Sequence, residues 1–287
     1  MNKIQALILD VDGVIVGEKI GFNSPHPHPD VVSALKEIQN KGIPVSLCTA
    51  KPHFAISKEI TDADLDNAHI ADGGGVIISP LENKIIKQNN LPTESAVRVI
   101  QAFLDAGVYV EFYTVDNYVI QKSQAGEITQ KHNHVIQAEP MQVDSLVEAA
   151  KESQITKIMP IAVDEADKEN LNKIFEPFKN ELVMSWGVHP VILPLQFGIV
   201  TAPGISKKQG AMEISQATGV SLENTLGVGD SGSDWQFIEM CGYGAAMGNA
   251  KQDLKDLVVT KGEDESFVGP SVDENGILEI FKYFELL

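Results

Sequence analysis

The chain has 287 residues, 22 of them lysine or arginine against 40 aspartate or glutamate, a net charge of −18 at pH 7 with 43% hydrophobic residues. A field of that sign repels a polyanion before any local contact forms, which argues against a nucleic-acid partner, and the balanced composition sets aside a disordered or fibrous chain. Cys48 and Cys241, the two cysteines, both sit in apolar runs and offer no disulfide framework.

The first residues lack the basic flank and long apolar region of a secretory signal, and no run of 18 apolar residues occurs. The expectation is a cytoplasmic protein with no membrane partner. Arg98 is the single arginine, so an anion bound here is held mainly by lysine, backbone N–H groups or a metal.

From the N-terminus, the apolar run Ile4 to Asp10 reads as a buried parallel strand that carries Asp10 at its carboxyl end. Val32, Leu35 and Ile38 then recur at helical spacing between Pro29 and Lys41, and Gly42 stops the helix. Ile43 to Thr49 is a second buried strand. Strand, helix and strand in this order begin a doubly wound α/β sheet, in which ligands bind at the carboxyl ends of strands. Pro52 to Thr61 predicts another helix, and Gly73, Gly74 and Gly75 a flexible turn into a short strand ending near Ser79.

The pattern changes over residues 82–187. Strands are predicted at Val108 to Tyr113, Tyr118 to Gln121, Lys157 to Val163 and Leu182 to Trp186, with helices at Glu94 to Ala106, Val143 to Glu152 and Glu165 to Lys179. Phe112 and Tyr118 flank Asp116-Asn117 as in a hairpin, so this stretch reads as an α+β module inserted into the first domain. The doubly wound pattern resumes after Pro203. Lys207 to Thr218 forms a helix ending at Gly219, Thr225 to Gly229 a strand delivering Asp230, Ser233 to Met240 a helix, and Gly244 to Met247 a strand.

On such a sheet Asp10, Asp12, Thr49, Lys207, Asp230 and Asp234 converge on one crevice from distant positions. Clustered carboxylates cannot all stay ionised without a counter-charge, and oxygen-only ligands favour a hard cation, most readily Mg²⁺. Such a cation, a lysine and a hydroxyl around an aspartate suit phosphoryl transfer, with Asp10 attacking phosphorus and Asp12 serving as acid and base.

Asp10-Val11-Asp12-Gly13, Thr49 after its strand, Ser206-Lys207, and Gly229-Asp230-Ser231-Gly232-Ser233-Asp234 resemble, in order, the four motifs of the haloacid dehalogenase-like phosphatase superfamily. The long insertion between the threonine and lysine motifs resembles the cap of its Cof-type branch, which includes many sugar-phosphate phosphatases. The resemblance implies a Rossmann-like, mostly parallel catalytic core, residues 1–81 and 188–287, with an inserted cap, residues 82–187. It also implies that Asp10 is the nucleophile and Asp12 the acid/base. Asp10, Asp230 and the Asp12 carbonyl hold Mg²⁺, Thr49 and Lys207 hold the phosphoryl group, and Asp234 supports the metal or Lys207. Gly13, Lys51 and Asn249 are further substrate-binding candidates.

Ala50-Lys51 stands where the branch usually has Gly-Arg, which replaces a bidentate anion contact by a point charge, and Ser233 stands where Asn is usual. Of the adjacent Lys207 and Lys208, the offset to Gly210 favours Lys207. The expected partner is a small phosphorylated metabolite, with substrate choice in the cap, at Tyr113, Lys122 or Trp186. Transfer to a hydroxyl acceptor by the same residues, or phosphosugar binding without turnover, are the alternatives, and the sequence does not set the oligomeric state.

Two other motifs compete. Gly227-Val228-Gly229-Asp230-Ser231-Gly232 has dinucleotide-loop spacing, but the next strand ends without the required acidic residue. Asp62, Asp64 and Asp66 imitate the start of a calcium loop, with Asn67 where glycine is needed.

Overall fold

The structure, a computed structural model, describes residues 4–82 and 84–287. The elements in chain order are β1 (Ala6–Leu9), α1 (Pro29–Asn40), β2 (Val45–Leu47), α2 (Ser57–Asp62), β3 (His69–Ala71), β4 (Val76–Ser79) and β5 (Lys84–Gln88). Then come α3 (Thr93–Asp105), β6 (Tyr109–Tyr113), β7 (Tyr118–Gln121), α4 (Glu127–Ile136), β8 (Met141–Val143), α5 (Leu146–Lys151), β9 (Lys157–Ala162), α6 (Glu165–Phe175), β10 (Val183–Val188) and β11 (Gln196–Thr201). The last group is α7 (Lys207–Thr218), β12 (Thr225–Gly229), α8 (Trp235–Ile238), β13 (Tyr243–Ala246), α9 (Gln252–Val259), β14 (Ser266–Val268) and α10 (Ile277–Tyr283).

The chain divides into two compact units. The first runs to Lys87 and resumes from Ser206 to Leu287. Its main sheet has the order β14-β13-β12-β1-β2, every pair parallel. Parallel strands covered on both faces need continuous apolar sequence, and all four residues of β1 are buried. Helices α7 and α8 supply Ala211, Ile214, Phe237 and Ile238, which pack with Ile8, Cys48 and Ile70 into one core cluster. Removing a fully buried ring such as Phe237 from a core of this kind costs about 3–5 kcal/mol. A smaller sheet, β3-β4-β5, extends the layer, with Cys48 bridging to Ile70.

The second unit is Gln88–Ile205. Its six-stranded sheet, β10-β11-β9-β6-β7-β8, is antiparallel except for the β7–β8 pair. One face packs on α3, α5 and α6 through Val99, Phe103, Leu146, Leu171 and Phe175. The hairpin about Asp116-Asn117 forms as the sequence predicts, with Tyr113 opposite Tyr118. A doubly wound α/β unit carrying an inserted α+β unit is therefore the architecture.

The boundaries of the second unit differ from the 82–187 stretch at both ends. Strand β11 pairs with β9 and β10 and so lies within this unit, and β5 closes the small sheet of the first. The run Leu195 to Thr201 carries no charge or turn signal that tells one sheet from another. Helix α4, strand β8 and the three C-terminal elements α9, β14 and α10 were not predicted. The helix expected over Pro52 to Thr61 is split, a single 3₁₀ turn at His53–Ala55 preceding α2.

Among the described residues no helix is long and apolar enough to cross a membrane.

Candidate active site

Strands β12, β1 and β2 are neighbours in the first unit, so their carboxyl ends present Asp230, Asp10 and Thr49 side by side. Asp10 is nearly buried and fixed at three points. Its N–H donates to the Val228 carbonyl (3.0 Å), its Oδ1 accepts the Val11 N–H (2.8 Å), and its Oδ2 lies 3.1 Å from Lys207 Nζ. Lys207 is the first residue of α7, whose N-cap Ser206 accepts the Gln209 N–H through its hydroxyl (3.1 Å). The cap sets where the helix begins and hence where Lys207 points. Lys207 is buried and Lys208 exposed, so the first lysine is the one that enters the site.

Asp234, with no exposed surface, is held by four donors. Its Oδ1 takes Lys207 Nζ at 2.6 Å, and its Oδ2 accepts the N–H groups of Asp230 (3.0 Å) and Ser231 (2.9 Å) and the Ser231 hydroxyl (2.9 Å). Ser233 reaches the Ser231 hydroxyl at 2.8 Å, one step further from the carboxylate. The Asp12 carboxylate turns to Lys51, with Oδ1 2.7 Å from Nζ, and is a third exposed. The Lys51 N–H in turn donates to Thr49 Oγ1 (3.1 Å).

Oxygens of Asp10, Asp230 and Asp234 all lie within 4.8 Å of one another. Three carboxylates face one ammonium here, and the electrostatics record the excess. Burial first, then the charges of Asp234 and Asp230, holds the Asp10 carboxyl well above its usual range against the opposing pull of Lys207. Burial and Asp234 push Asp230 up to about 7. Asp234 is lowered, because Lys207 and the donors around it outweigh its burial. Lys207 is raised for the converse reason, its two carboxylate neighbours outweighing burial.

An oxygen-only donor set with unbalanced negative charge fits a hard divalent cation such as Mg²⁺. Asp10 and Asp230 are the side chains suited to hold it, since Asp234 is already enclosed by protein donors. The Asp12 carboxylate is not part of this cluster.

Gly13 has φ +79°, and a Cβ there would fall 2.1 Å from Asp230 Oδ2, so glycine lets the loop after β1 lie against the acidic group. The Asn249 side chain, a substrate candidate from sequence, is engaged within the protein. Its Nδ2 donates to the Gly13 carbonyl (2.9 Å) and Asp230 Oδ2 (3.4 Å), and its Oδ1 accepts the Val272 N–H (2.9 Å).

The calcium-loop imitation dissolves: Asp62 pairs with Lys58, Asp64 with Lys36, and Asp66 accepts from Gln39. In the second unit Tyr113 is fully buried, its hydroxyl donating to Glu111 Oε1 (2.5 Å), which removes it from the residues able to meet a substrate. Lys122 pairs with Asp144 (2.8 Å) and Trp186 Nε1 donates to Asn172 (3.0 Å). Sequence reasoning missed Ser231, whose hydroxyl holds Asp234. A serine before the second aspartate looks like any loop residue until the hydrogen bond is seen.

Residues 7–281 match the family described as haloacid dehalogenase-like hydrolase. A pyridoxal phosphate phosphatase of Escherichia coli is 23% identical over 259 residues, covering 88% of this chain and 90% of the relative. A 5-amino-6-(5-phospho-D-ribitylamino)uracil phosphatase of Bacillus subtilis is 25% identical over 297 residues, with 96% of each covered. Among solved structures, a haloacid dehalogenase-like hydrolase from Bacteroides thetaiotaomicron superposes with a TM-score of 0.83 at 18% identity, covering 97% of this chain and 98% of that one. A subclass IIB sugar phosphatase gives 0.77 at 24%, covering 99% and 100%.

Proposed function

The chain belongs to the haloacid dehalogenase-like hydrolases and is a phosphoric monoester hydrolase, and we propose that it cleaves a small phosphorylated metabolite, a sugar phosphate by preference, through a phosphorylated Asp10. The observation that carries this reading is the convergence of Asp10, Asp230 and Lys207 from three separated stretches of chain.

In the first step an oxygen of the ionised Asp10 carboxylate attacks phosphorus and the bond to the leaving oxygen breaks, with Asp12 giving that oxygen its proton. In the second, Asp12 takes a proton from water, the resulting hydroxide attacks phosphorus, and the Asp10 carboxylate is released with inorganic phosphate. Thr49 and Lys207 hold the phosphoryl oxygens through both steps, and Asp234 keeps Lys207 aimed at them. A Mg²⁺ held by Asp10, Asp230 and the Asp12 carbonyl supplies charge neutralisation for the phosphoryl oxygens. Lys51 tethers Asp12 and adds a point charge near the anion. The relatives named for pyridoxal phosphate and a phosphoribityl compound act on small phosphomonoesters, which supports the substrate class.

Asp10→Asn is the test. It removes the nucleophile without changing shape, so Mg²⁺-dependent release of phosphate from p-nitrophenyl phosphate falls to background while the circular dichroism spectrum is retained. Undiminished turnover refutes the assignment.

A further inference from the structure

The threonine of the site follows β2 and the lysine opens α7, and no hydrogen bond between Thr49 and Lys207 joins them. What lies between them is β3 and the turn after it. The Thr49 N–H donates to the Ile70 carbonyl (3.0 Å), the Gly73 N–H to the Thr49 carbonyl (2.9 Å), and the Asp72 N–H to the Lys51 carbonyl (2.9 Å). The same segment abuts α7. A Cβ on Gly74 would fall 2.3 Å from the Ser206 carbonyl oxygen, and one on Gly210 would fall 2.8 Å from the Ile70 side chain.

The turn can make both sets of contacts only with an unusual backbone. Asp72 is a buried non-glycine residue at φ +50°, and Gly74 sits at φ +108°. Asp and Asn tolerate the left-handed region, whereas a β-branched residue does not.

We infer that residues 70–74 are the positioning element of the anion site: the bracket that fixes the separation of Thr49 and Lys51 from Lys207. Ile70, Asp72 and Gly74 act through those residues and touch no substrate themselves. The inference rests on the phosphatase reading. The bracket makes none of the hydrogen bonds that fix Asp10, Asp230 or Asp234, so a change in it reaches the acidic cluster only at second hand, through Lys207, and acts first on the anion arm.

The test uses the full chain with two probes, inorganic phosphate as a competitive inhibitor and Mg²⁺ alone in calorimetry. Gly74→Ala pushes on the Ser206 carbonyl and shifts the start of α7. An ångström of displacement at such a site weakens binding and turnover by about tenfold or more. The expected result is a rise of about tenfold in phosphate Ki and in KM, with Mg²⁺ affinity within about threefold of wild type. Asp72→Val shows the same split, and Asp72→Asn, which keeps the left-handed turn, restores wild-type values within about twofold. Wild type that binds phosphate while both Gly74→Ala and Asp72→Val bind it equally well overturns the bracket alone. Wild type that neither binds nor releases phosphate overturns the phosphatase reading and the bracket with it. Parallel loss of phosphate and Mg²⁺ binding in the variants also overturns the bracket, because that is the signature of a general structural role.

Discussion

Lys207 Nζ sits 2.6 Å from Asp234 Oδ1, both side chains essentially buried, and this pair ties the lysine of α7 to the loop that follows β12. Asp234 binds that loop from within by accepting the N–H groups of Asp230 and Ser231. One carboxylate therefore orients Lys207 and the loop that carries Asp230 together. Breaking a buried pair leaves an uncompensated charge and typically costs about 3–5 kcal/mol.

Asp234→Asn is accordingly expected to lower kcat by about 10²-fold or more, in the range seen when a transition-state donor is lost. It also lowers the urea midpoint by an amount of that order of stability. Lys208→Met, a change at the exposed neighbour, leaves both unchanged. Steady-state kinetics and urea unfolding of the two variants check the pair.

The raised Asp230 carboxyl makes stability depend on pH and, were a cation held at the acidic cluster, on that cation as well. Between the ordinary value of 3.8 and about 7 the folded protein keeps a proton that the unfolded chain has lost. Without metal this contribution to stability is fully present below 3.8 and lost as pH rises through 7. A divalent cation held at this cluster would favour the ionised form and so remove the penalty. Thermal midpoints measured with EDTA and with Mg²⁺ are thus expected to coincide near pH 5 and to separate by pH 8, the Mg²⁺ sample melting higher. Equal separation at both pH values contradicts the acidic cluster as the cation site.

Much of this site was legible because its residues occupy strand ends. Asp10, Thr49 and Asp230 each follow a run whose apolar continuity marks a buried parallel strand, and strand adjacency does the rest. The bracket was not legible. His69–Ala71 is three residues long and follows Ala68, too short for period to separate strand from loop, and Gly73 to Gly75 reads in sequence as flexibility, while in the fold it allows close packing against Ser206. Asn249 shows a different limit. A polar residue after a core strand invites assignment to the ligand, and only the geometry reveals both ends of its amide engaged by Gly13 and Val272.

His69, the first residue of β3 and the one just before the bracket, adds a stability effect of opposite sign. It is fully buried, its Nδ1 accepting the Leu47 N–H (2.9 Å) and its Nε2 facing the Leu65 carbonyl (3.3 Å), an arrangement that requires the neutral ring protonated at Nε2. Burial pushes its pKa down from 6.5 to about 4. The unfolded chain takes up a proton at higher pH than the folded one, so the contribution is fully present above 6.5 and lost as pH falls through 4. A shift of that size amounts to about 3 kcal/mol across the window. His69→Asn replaces the ring by an amide that does not titrate in this range and whose oxygen is an acceptor for the Leu47 N–H. The expected result is that wild type loses about 2–3 kcal/mol relative to this variant between pH 7 and pH 4, read from urea midpoints. Parallel pH profiles for the two proteins show instead that His69 does not titrate on unfolding as its burial requires.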